Sequence, residues 1–317
     1  MPERATLLRA TDVVRTYPGA QGVLAVRGAS LSLAERDFVA LMGPSGSGKT
    51  TFIGVMSGLD APDEGQVLWR DTPVASMGRE ERRELRRSRM GIVFQSFGLL
   101  PTLSAVENVE LPLRVTGTEL GEARRRATEW LERLGLADRL DNRSFELSAG
   151  QQQRVAVARA LITEPEVVLA DEPIAEVDTE NADLILEALW DVIRRGGAVL
   201  AATHNPEALR YANRVVLFRD GQIEAQGTPD EMAERLTTDY AAIRTAATSR
   251  RRRRDRRTPR RRARRATAAP PAPAAGRGRA SCGGPCPRGG PSPSGPAASH
   301  GCGVADRGLR WGDRSRG

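Results

Sequence analysis

Lysine and cysteine are both scarce in the sequence. Lys49 is the single lysine among 48 basic residues, which suggests a role that arginine cannot fill. All three cysteines, Cys282, Cys286 and Cys302, lie after residue 248, so the chain before that point needs neither a disulfide nor a thiolate metal site. This usage fits a reducing cytoplasm. A zinc site from these cysteines and His300 is disfavoured, because the surrounding Gly/Pro-rich sequence offers no scaffold.

Long apolar runs are missing as well. No stretch of about 18 apolar residues occurs, so the sequence predicts no membrane-spanning segment. Residues 1–12 lack the apolar core of a signal peptide. We therefore expect neither an integral membrane protein nor a secreted one.

Positive charge is concentrated at one end of the chain. Residues 249–317 carry 19 arginines and three aspartates, a net charge of +16, whereas residues 1–248 have a net charge of −8. The basic segment is rich in Pro and Gly and has only Val304 and Leu309 as aliphatic core formers, so it is predicted to be a disordered tail.

The arginine run at 250–265 has three interpretations. We favour a functionless extension of the chain. The run could also hold the protein to anionic lipid. Non-specific nucleic-acid binding is the third, and it is weakened because no aromatic residue is interleaved with the arginines.

A glycine-rich segment follows a short apolar stretch. Residues 38–42 are predicted to form a buried strand, and residues 50–57 the first turns of a helix. The pattern G-x-x-x-x-G-K-[ST] lies between them, within Gly43, Pro44, Ser45, Gly46, Ser47, Gly48, Lys49, Thr50 and Thr51. Inward-pointing N–H groups and the positive end of the helix dipole would let this loop wrap the phosphates of a nucleotide. We expect Lys49 to contact the β- and γ-phosphates and the Thr50 hydroxyl to bind Mg²⁺.

Two acidic residues end a second apolar run. Residues 167–170 are predicted to form a buried strand, and Asp171 and Glu172 follow directly. Parallel α/β sheets bind ligands at the carboxyl ends of their strands. On its own the pattern fits equally a strand that leaves the core for a solvated turn. Together with the phosphate loop, it predicts that Asp171 holds Mg²⁺ through water and that Glu172 orients or deprotonates the attacking water.

Strands alternate with helices along the chain, which predicts an α/β fold with a parallel, doubly wound core. The early strands at 7–14 and 23–33 and the helical stretch around 104–163 look like additions to that core. Further strands are predicted at 66–70, 91–94, 198–202, 215–218 and 222–226, and further helices at 80–89, 104–135 with a break near 116–118, 148–162 and 181–194.

Residues 147–154, Leu-Ser-Ala-Gly-Gln-Gln-Gln-Arg, resemble the signature motif of the ATP-binding-cassette (ABC) ATPases, and Asp171, Glu172 and Pro173 follow at the expected place. The resemblance runs from about residue 8 to residue 235 with every motif in the family's order. Residues 94–109 are similar to the subfamily that serves lipoprotein-release, macrolide-export and antimicrobial-peptide-export permeases. The implied fold is a P-loop NTPase core of mostly parallel sheet, with an N-terminal antiparallel β subdomain and an inserted helical subdomain.

The resemblance also implies ATP contacts outside the phosphate loop. Tyr17 is expected to stack on adenine, and Gln95 to sense the γ-phosphate and Mg²⁺, so that Thr50, Gln95 and Asp171 form the metal site. His204 resembles the switch histidine that contacts the γ-phosphate, and the resemblance implies that both Glu172 and His204 are catalytic residues. The structural alternatives are a tyrosine filling a local core, a solvated glutamine and a lone structural histidine.

A second copy of the chain is implied by the same motifs. Ser148 and Gly150 would bind the γ-phosphate of an ATP held by the partner, giving a head-to-tail homodimer with two nucleotides between the subunits. Asp178 resembles the aspartate that couples the two sites. Two residues depart from the family pattern: Ala149 replaces a glycine, and Glu176 adds a charge at the expected seam. We expect Ala149 to leave a weaker but surviving ATPase activity. Glu176 puts the coupling between the two ATP sites in doubt more than hydrolysis itself.

These observations predict an ABC-type ATP-binding domain over residues 1–240, with its helical subdomain at about 96–163. Its expected function is to bind and hydrolyse ATP, with Mg²⁺, and so to power a separate integral-membrane permease from the cytoplasmic side of the cell membrane. Export, or lipoprotein or peptide release, is the expected process, and no specific nucleic acid is expected as a partner. Two alternatives stay open: a soluble ABC ATPase acting on ribosomes or nucleic acid, and a degenerate regulatory nucleotide-binding module.

Overall fold

The computed structural model describes residues 4–18 and 22–235, with side chains described as far as residue 232. The predicted domain end at residue 240 and the predicted tail at 249–317 lie outside the described residues. Within this part of the chain, no helix combines the length and the apolar character that a bilayer crossing needs.

The described residues form ten strands and seven α-helices. The strands are β1 (Thr6–Tyr17), β2 (Val23–Ala34), β3 (Phe38–Met42), β4 (Glu64–Trp69), β5 (Thr72–Pro73), β6 (Met90–Val93), β7 (Val167–Asp171), β8 (Ala198–Ala202), β9 (Arg214–Arg219) and β10 (Gln222–Gly227). The helices are α1 (Lys49–Met56), α2 (Arg79–Ser88), α3 (Ala105–Val115), α4 (Leu120–Arg133), α5 (Ala149–Leu161), α6 (Thr179–Arg194) and α7 (Pro229–Arg235).

The central sheet has six strands in the order β10-β9-β3-β8-β7-β6. All neighbouring pairs are parallel except the β9–β10 hairpin at the edge. The register aligns the carboxyl ends of the parallel strands: Ala202 lies opposite both Leu41 and Asp171, and Ala170 lies opposite Val93. Loops that follow β3, β8, β7 and β6 therefore meet along one edge.

Both faces of the central sheet are buried, which explains the continuous apolar sequence of its strands. In β3, Phe38, Ala40 and Met42 belong to one core cluster together with α3 to α6, whereas Val39 and Leu41 belong to a second cluster with α1 and the N-terminal strands. The alternation follows from the two-residue period of a strand. Side chains on opposite faces thus attach a helical layer and a β layer to one sheet.

The N-terminal layer is a four-stranded antiparallel sheet in the order β2-β1-β4-β5. Its inward side chains, among them Leu8, Val13 and Leu33, pack with α1 in the second core cluster. Phe52 of α1 stacks on Phe218 of β9 with 5.4 Å between ring centroids. Such an aromatic pair adds about 0.5–1.5 kcal/mol of stability beyond that of the buried apolar area. It holds the start of α1 against the sheet.

The helices α3, α4 and α5 form the layer inserted between β6 and β7. Ser104 caps α3 and Ser148 caps α5, each with its side-chain oxygen accepting the N–H of the residue three positions later. The predicted break near 116–118 is present, since Gly117 has a φ of +90° between α3 and α4. The predicted helix at 181–194 begins at Thr179, because Asp178 is its cap.

Candidate functional site

The predicted site residues converge on the carboxyl edge of the central sheet. Gly43 directly follows β3, and Asp171 and Glu172 end and follow β7. Gln95 and His204 each lie two residues beyond their strands, β6 and β8. Because β3, β8, β7 and β6 are consecutive neighbours, the edge forms a row with the phosphate loop at one end and Gln95 at the other. This edge is where α/β sheets bind ligands.

The loop from Gly43 to Gly48 requires glycine at both ends. A Cβ at Gly43 would lie 2.0 Å from the carbonyl oxygen of Phe218, and one at Gly48 would lie 2.1 Å from that of Ala25. Gly48 also has a φ of +101°, a conformation that side chains disfavour. By contrast, Gly46 has a φ of +78° and open space around it. The loop is therefore packed tightly at its base and free at its tip.

Lys49 lies at the centre of this loop with only 7% of its surface exposed. Its Nζ donates hydrogen bonds to the carbonyl oxygens of Gly43 at 2.9 Å and Pro44 at 3.0 Å. Burial lowers the pKa of Lys49, while the carboxylates of Glu172 and Asp171 oppose this effect. The ammonium group is held by weak neutral acceptors in a partly desolvated place, where a phosphate would be a stronger partner.

Ser47 is a second residue whose surroundings fit an anion. Its side chain is 4% exposed, and its Oγ has no hydrogen-bond partner among the described residues. A buried polar atom without a partner is costly and is rare in folded proteins. Phosphate oxygens in the loop would satisfy this hydroxyl. The residues present therefore fit a nucleotide's phosphate chain.

Asp171 and Thr50 form the pair predicted to hold Mg²⁺. Asp171 is almost fully buried, and the Thr50 hydroxyl lies near enough to act on its carboxyl group. Burial raises the pKa of Asp171; the Thr50 hydroxyl and Lys49 lower it, and the neighbouring Glu172 raises it. A carboxylate and a hydroxyl oxygen next to a phosphate-binding loop are ligands of the kind that Mg²⁺ takes together with water and substrate phosphates.

Glu172 is held in place by two residues that follow β8. Thr203 Oγ1 donates to Glu172 Oε2 at 3.1 Å, and His204 Nδ1 lies 2.8 Å from Oε1. The Glu172 N–H donates to the carbonyl oxygen of Ala202 at 2.8 Å. Glu172 has a φ of +50°, which is strained for a residue with a side chain and is often found at functional sites. The structure thus brings together Glu172 and His204, both predicted site residues, and adds Thr203, which had not been singled out from the sequence.

Tyr17 ends β1 and is fixed by the turn that follows α1. Its hydroxyl donates to Asp60 Oδ2 at 2.7 Å, and the Arg15 guanidinium lies 5.0 Å from the ring centroid. Arg15 pairs in turn with Asp63 at 2.9 Å, and an Asp63 oxygen also accepts the Thr16 N–H at 2.6 Å. The ring is thus pre-oriented by a small polar network, which fits a stacking platform better than a core tyrosine.

Gln95 is exposed and begins a segment tied to α5. Arg159 donates to the carbonyl oxygens of Phe97 at 2.8 Å and Gly98 at 2.6 Å. Burial lowers the pKa of the Arg159 guanidinium. No described hydrogen bond joins Gln95 to Asp171 or Glu172. The structure therefore brings Gln95 to the correct edge without joining it to the metal pair.

Ser148 and Gly150 lie at the start of α5, and no described hydrogen bond or ion pair connects them to the phosphate loop of the same chain. Ser148 is exposed and caps its own helix. A Cβ at Gly150 would lie 2.7 Å from the carbonyl oxygen of Glu176, so α5 packs directly on the segment after Glu172. Ala149 is the first residue of α5 and has no left-handed φ, so alanine fits there without strain.

Comparison with known proteins agrees with this geometry. The family described as "ABC transporter" matches residues 26–175. A lipoprotein-releasing system ATP-binding protein, LolD of Maricaulis maris, is 43% identical over 219 residues, which cover 68% of this chain and 96% of that protein. An uncharacterized ABC transporter ATP-binding protein of Thermotoga maritima is also 43% identical, over 69% of this chain and 94% of that protein.

A longer relative and a solved structure extend the comparison. The macrolide export ATP-binding/permease protein MacB of Brucella melitensis is 40% identical over 71% of this chain but only 35% of its own length. The dimeric post-hydrolysis state of the ATP-binding cassette MJ0796, bound to ADP and Pi, matches with a TM-score of 0.67 and 35% identity, over 70% of this chain and 98% of that chain. This chain belongs to the ABC transporter family and contains its ATP-binding cassette.

Proposed function

We propose that this chain hydrolyses ATP at the carboxyl edge of its central sheet and drives a separate membrane permease. The observation that carries the proposal is the Glu172 carboxylate, held between Thr203 and His204 directly beside Asp171 and its Thr50 partner. A carboxylate fixed in this way is suited to orient water and accept its proton. A degenerate binding module would not need this arrangement.

Each residue has a defined task in this reaction. Lys49 exchanges the carbonyl oxygens of Gly43 and Pro44 for phosphate oxygens, and Ser47 gains the partner that its hydroxyl lacks. Glu172 takes a proton from the attacking water, and His204 keeps the carboxylate aimed at it. Thr50 and Asp171, with Gln95, would hold Mg²⁺, which neutralises charge on the phosphate oxygens.

Two copies of the chain are required for the complete site. Ser148 and Gly150 are exposed or half-buried at the N-terminus of α5, where a helix dipole favours an anion. They have no described contact with the phosphate loop of their own chain, which leaves them available to the ATP of a partner. The dimeric cassette to which the fold is similar supports this arrangement.

The permease would dock beside the Gln95 segment. Phe94 and Leu100 flank it and expose 39% and 44% of their surface, so two large apolar side chains are available to a partner there. The names of the relatives LolD and MacB support release of lipoproteins or export of macrolides as the driven process. Cysteines placed at 97 and 100 should crosslink to a copurifying permease; a permease that crosslinks only elsewhere would refute this docking site.

The hydrolytic role is tested by Glu172→Gln. Glutamine keeps the size of the side chain but cannot accept the proton, so ATP hydrolysis should fall by about 10²- to 10⁴-fold. Binding of ATP should persist, because Lys49 and the loop remain. Glu129→Gln, an exposed glutamate on α4, is the matched control and should leave the phosphate-release rate unchanged. Hydrolysis at the wild-type rate in Glu172→Gln would exclude Glu172 as the base.

A further inference from the structure

Four arginines of α2 lie on one side of that helix. Arg79, Arg82, Arg83 and Arg86 have the spacing i, i+3, i+4 and i+7, which places them along a single helical stripe. All four line a cavity of about 420 Å³ between α2 and the turn at 58–62 that follows α1. This volume lies in the range of sites for small ligands, about 300–1,000 Å³. The cavity is separate from the phosphate loop, since none of the residues 43–51 lines it.

The positive charge of this cavity is largely uncompensated. The side chains of Arg79 and Arg82 form no ion pair or hydrogen bond with another described residue. Arg86 donates to the carbonyl oxygen of Gly58 at 3.0 Å, which is a neutral acceptor. Burial lowers the pKa of Arg86, and the like charges of Arg82 and Arg83 lower it further. Arg82 and Arg83 thus repel the Arg86 guanidinium.

Acidic side chains near the cavity are already engaged. Among the described residues, Asp60 is the only acid that lines it, and its Oδ2 accepts a hydrogen bond from the Tyr17 hydroxyl. Glu80, on the same helix, pairs with Arg83 at 3.2 Å and with Arg87 at 3.2 Å, and it does not line the cavity. The local balance therefore stays positive after every described partner is counted.

The remaining wall is apolar. Val55, Val67 and Val74 form part of the lining, and Leu59 leaves 49% of its surface exposed there. Gly58 has a φ of +65°, and a Cβ at this position would lie 3.1 Å from Val74 and 3.7 Å from the Arg86 guanidinium. Glycine at this position lets the arginine stripe and the apolar wall approach each other.

We propose that this cavity is a second anion site, which binds a phosphate-bearing molecule with an apolar portion. Guanidinium groups bind phosphate through paired N–H donors, and one phosphate supplies up to two charges and several acceptors in a small volume. The apolar wall receives the part of the ligand next to the phosphate. The shared chemistry is a phosphate group, which a soluble metabolite or a phospholipid headgroup could carry.

The test compares two double variants of the full chain that lose the same charge. Arg79→Gln/Arg82→Gln removes the two arginines of the stripe whose side chains have no described partner, and Arg125→Gln/Arg139→Gln removes two exposed arginines elsewhere. Pyrophosphate is titrated by calorimetry with excess ADP present, and vesicles of phosphatidylglycerol or phosphatidylcholine are tested by co-sedimentation. The phosphate loop and the arginine-rich segment are common to both variants, so their contributions cancel. Equal melting temperatures establish that both variants are folded.

The cavity variant should bind at least one phosphate probe about 10- to 100-fold more weakly than the control variant, as expected for a lost charge-assisted contact. A difference seen with pyrophosphate assigns the site to soluble phosphates. A difference seen only with phosphatidylglycerol vesicles assigns it to a lipid headgroup. The proposal is overturned if the two variants bind pyrophosphate and both kinds of vesicle equally.

Discussion

The buried carboxylate of Asp171 suits metal binding but costs stability in the folded chain. The carboxyl group is buried beside Glu172, and burial raises its pKa, so the ionised form is unfavourable in the folded chain without a cation. Lys49 nearby has its pKa lowered by burial for the same reason. The buried charges of Asp171 and Lys49 are therefore destabilising, and bound nucleotide and Mg²⁺ would offset this cost.

Asp171→Asn should therefore stabilise the nucleotide-free protein at neutral pH. A folded-state pKa above the unfolded value gives stability that is present at low pH and lost as the pH rises through the folded pKa. Asparagine does not ionise, so the variant does not lose stability in this way. Its melting temperature should be a few degrees above that of the wild type at pH 7, and the difference should shrink on acidification. The stabilisation by Mg-ATP should be lost. A variant that melts below the wild type at pH 7 would contradict this reading of Asp171.

Tyr17 gives a second test at the level of a single residue. If its ring stacks on adenine, Tyr17→Ala should weaken ATP binding by about 1–3 kcal/mol. Tyr17→Phe keeps the ring and loses only the hydrogen bond to Asp60, so its ATP affinity should fall less than that of Tyr17→Ala. Titration with a fluorescent ATP analogue measures both. Wild-type affinity in Tyr17→Ala would show that the ring does not contact the base.

The elements of the fold could be predicted closely from the sequence. Apolar runs such as 38–42 and 198–202 correspond to β3 and β8, because a buried strand leaves a local signature in the sequence. The motifs likewise predicted Glu172 and His204 as site residues, and the two side chains lie 2.8 Å apart. Contacts between distant elements could not be predicted in this way. Arg159 with the segment at 97–98 and Gly150 with Glu176 depend on the packing of α5, which no local pattern encodes.

The contact between α5 and the segment after Glu172 is tested by Gly150→Ala. The added Cβ would lie 2.7 Å from a backbone oxygen of Glu176, so α5 or that segment must move. We expect hydrolysis to fall at least tenfold while ATP binding to the phosphate loop is retained. The neighbouring Ala149→Gly is the control, since glycine adds no atom there, and its phosphate-release rate should match or exceed the wild type. Full activity in Gly150→Ala would mean that this close packing is dispensable.

At the scale of the whole molecule, the central sheet lies between the layer that contains Ser148 and the layer that contains Tyr17. One core cluster joins it to the helical layer with Ser148, and the other joins it to the β layer with Tyr17 and α1. Within one chain, the phosphate loop and Ser148 belong to different layers and share no described hydrogen bond. A head-to-tail pair would bring the loop of one copy to Ser148 of the other, which makes the dimer the central prediction.

The most direct measurement is size-exclusion chromatography of Glu172→Gln with and without Mg-ATP. This variant should retain ATP and therefore elute as a dimer with Mg-ATP and as a monomer with ADP. Lys49→Ala, which loses the phosphate contact, should elute as a monomer under both conditions. If Glu172→Gln remains monomeric with Mg-ATP, even beside a copurified permease, the ATP sandwich is wrong for this chain.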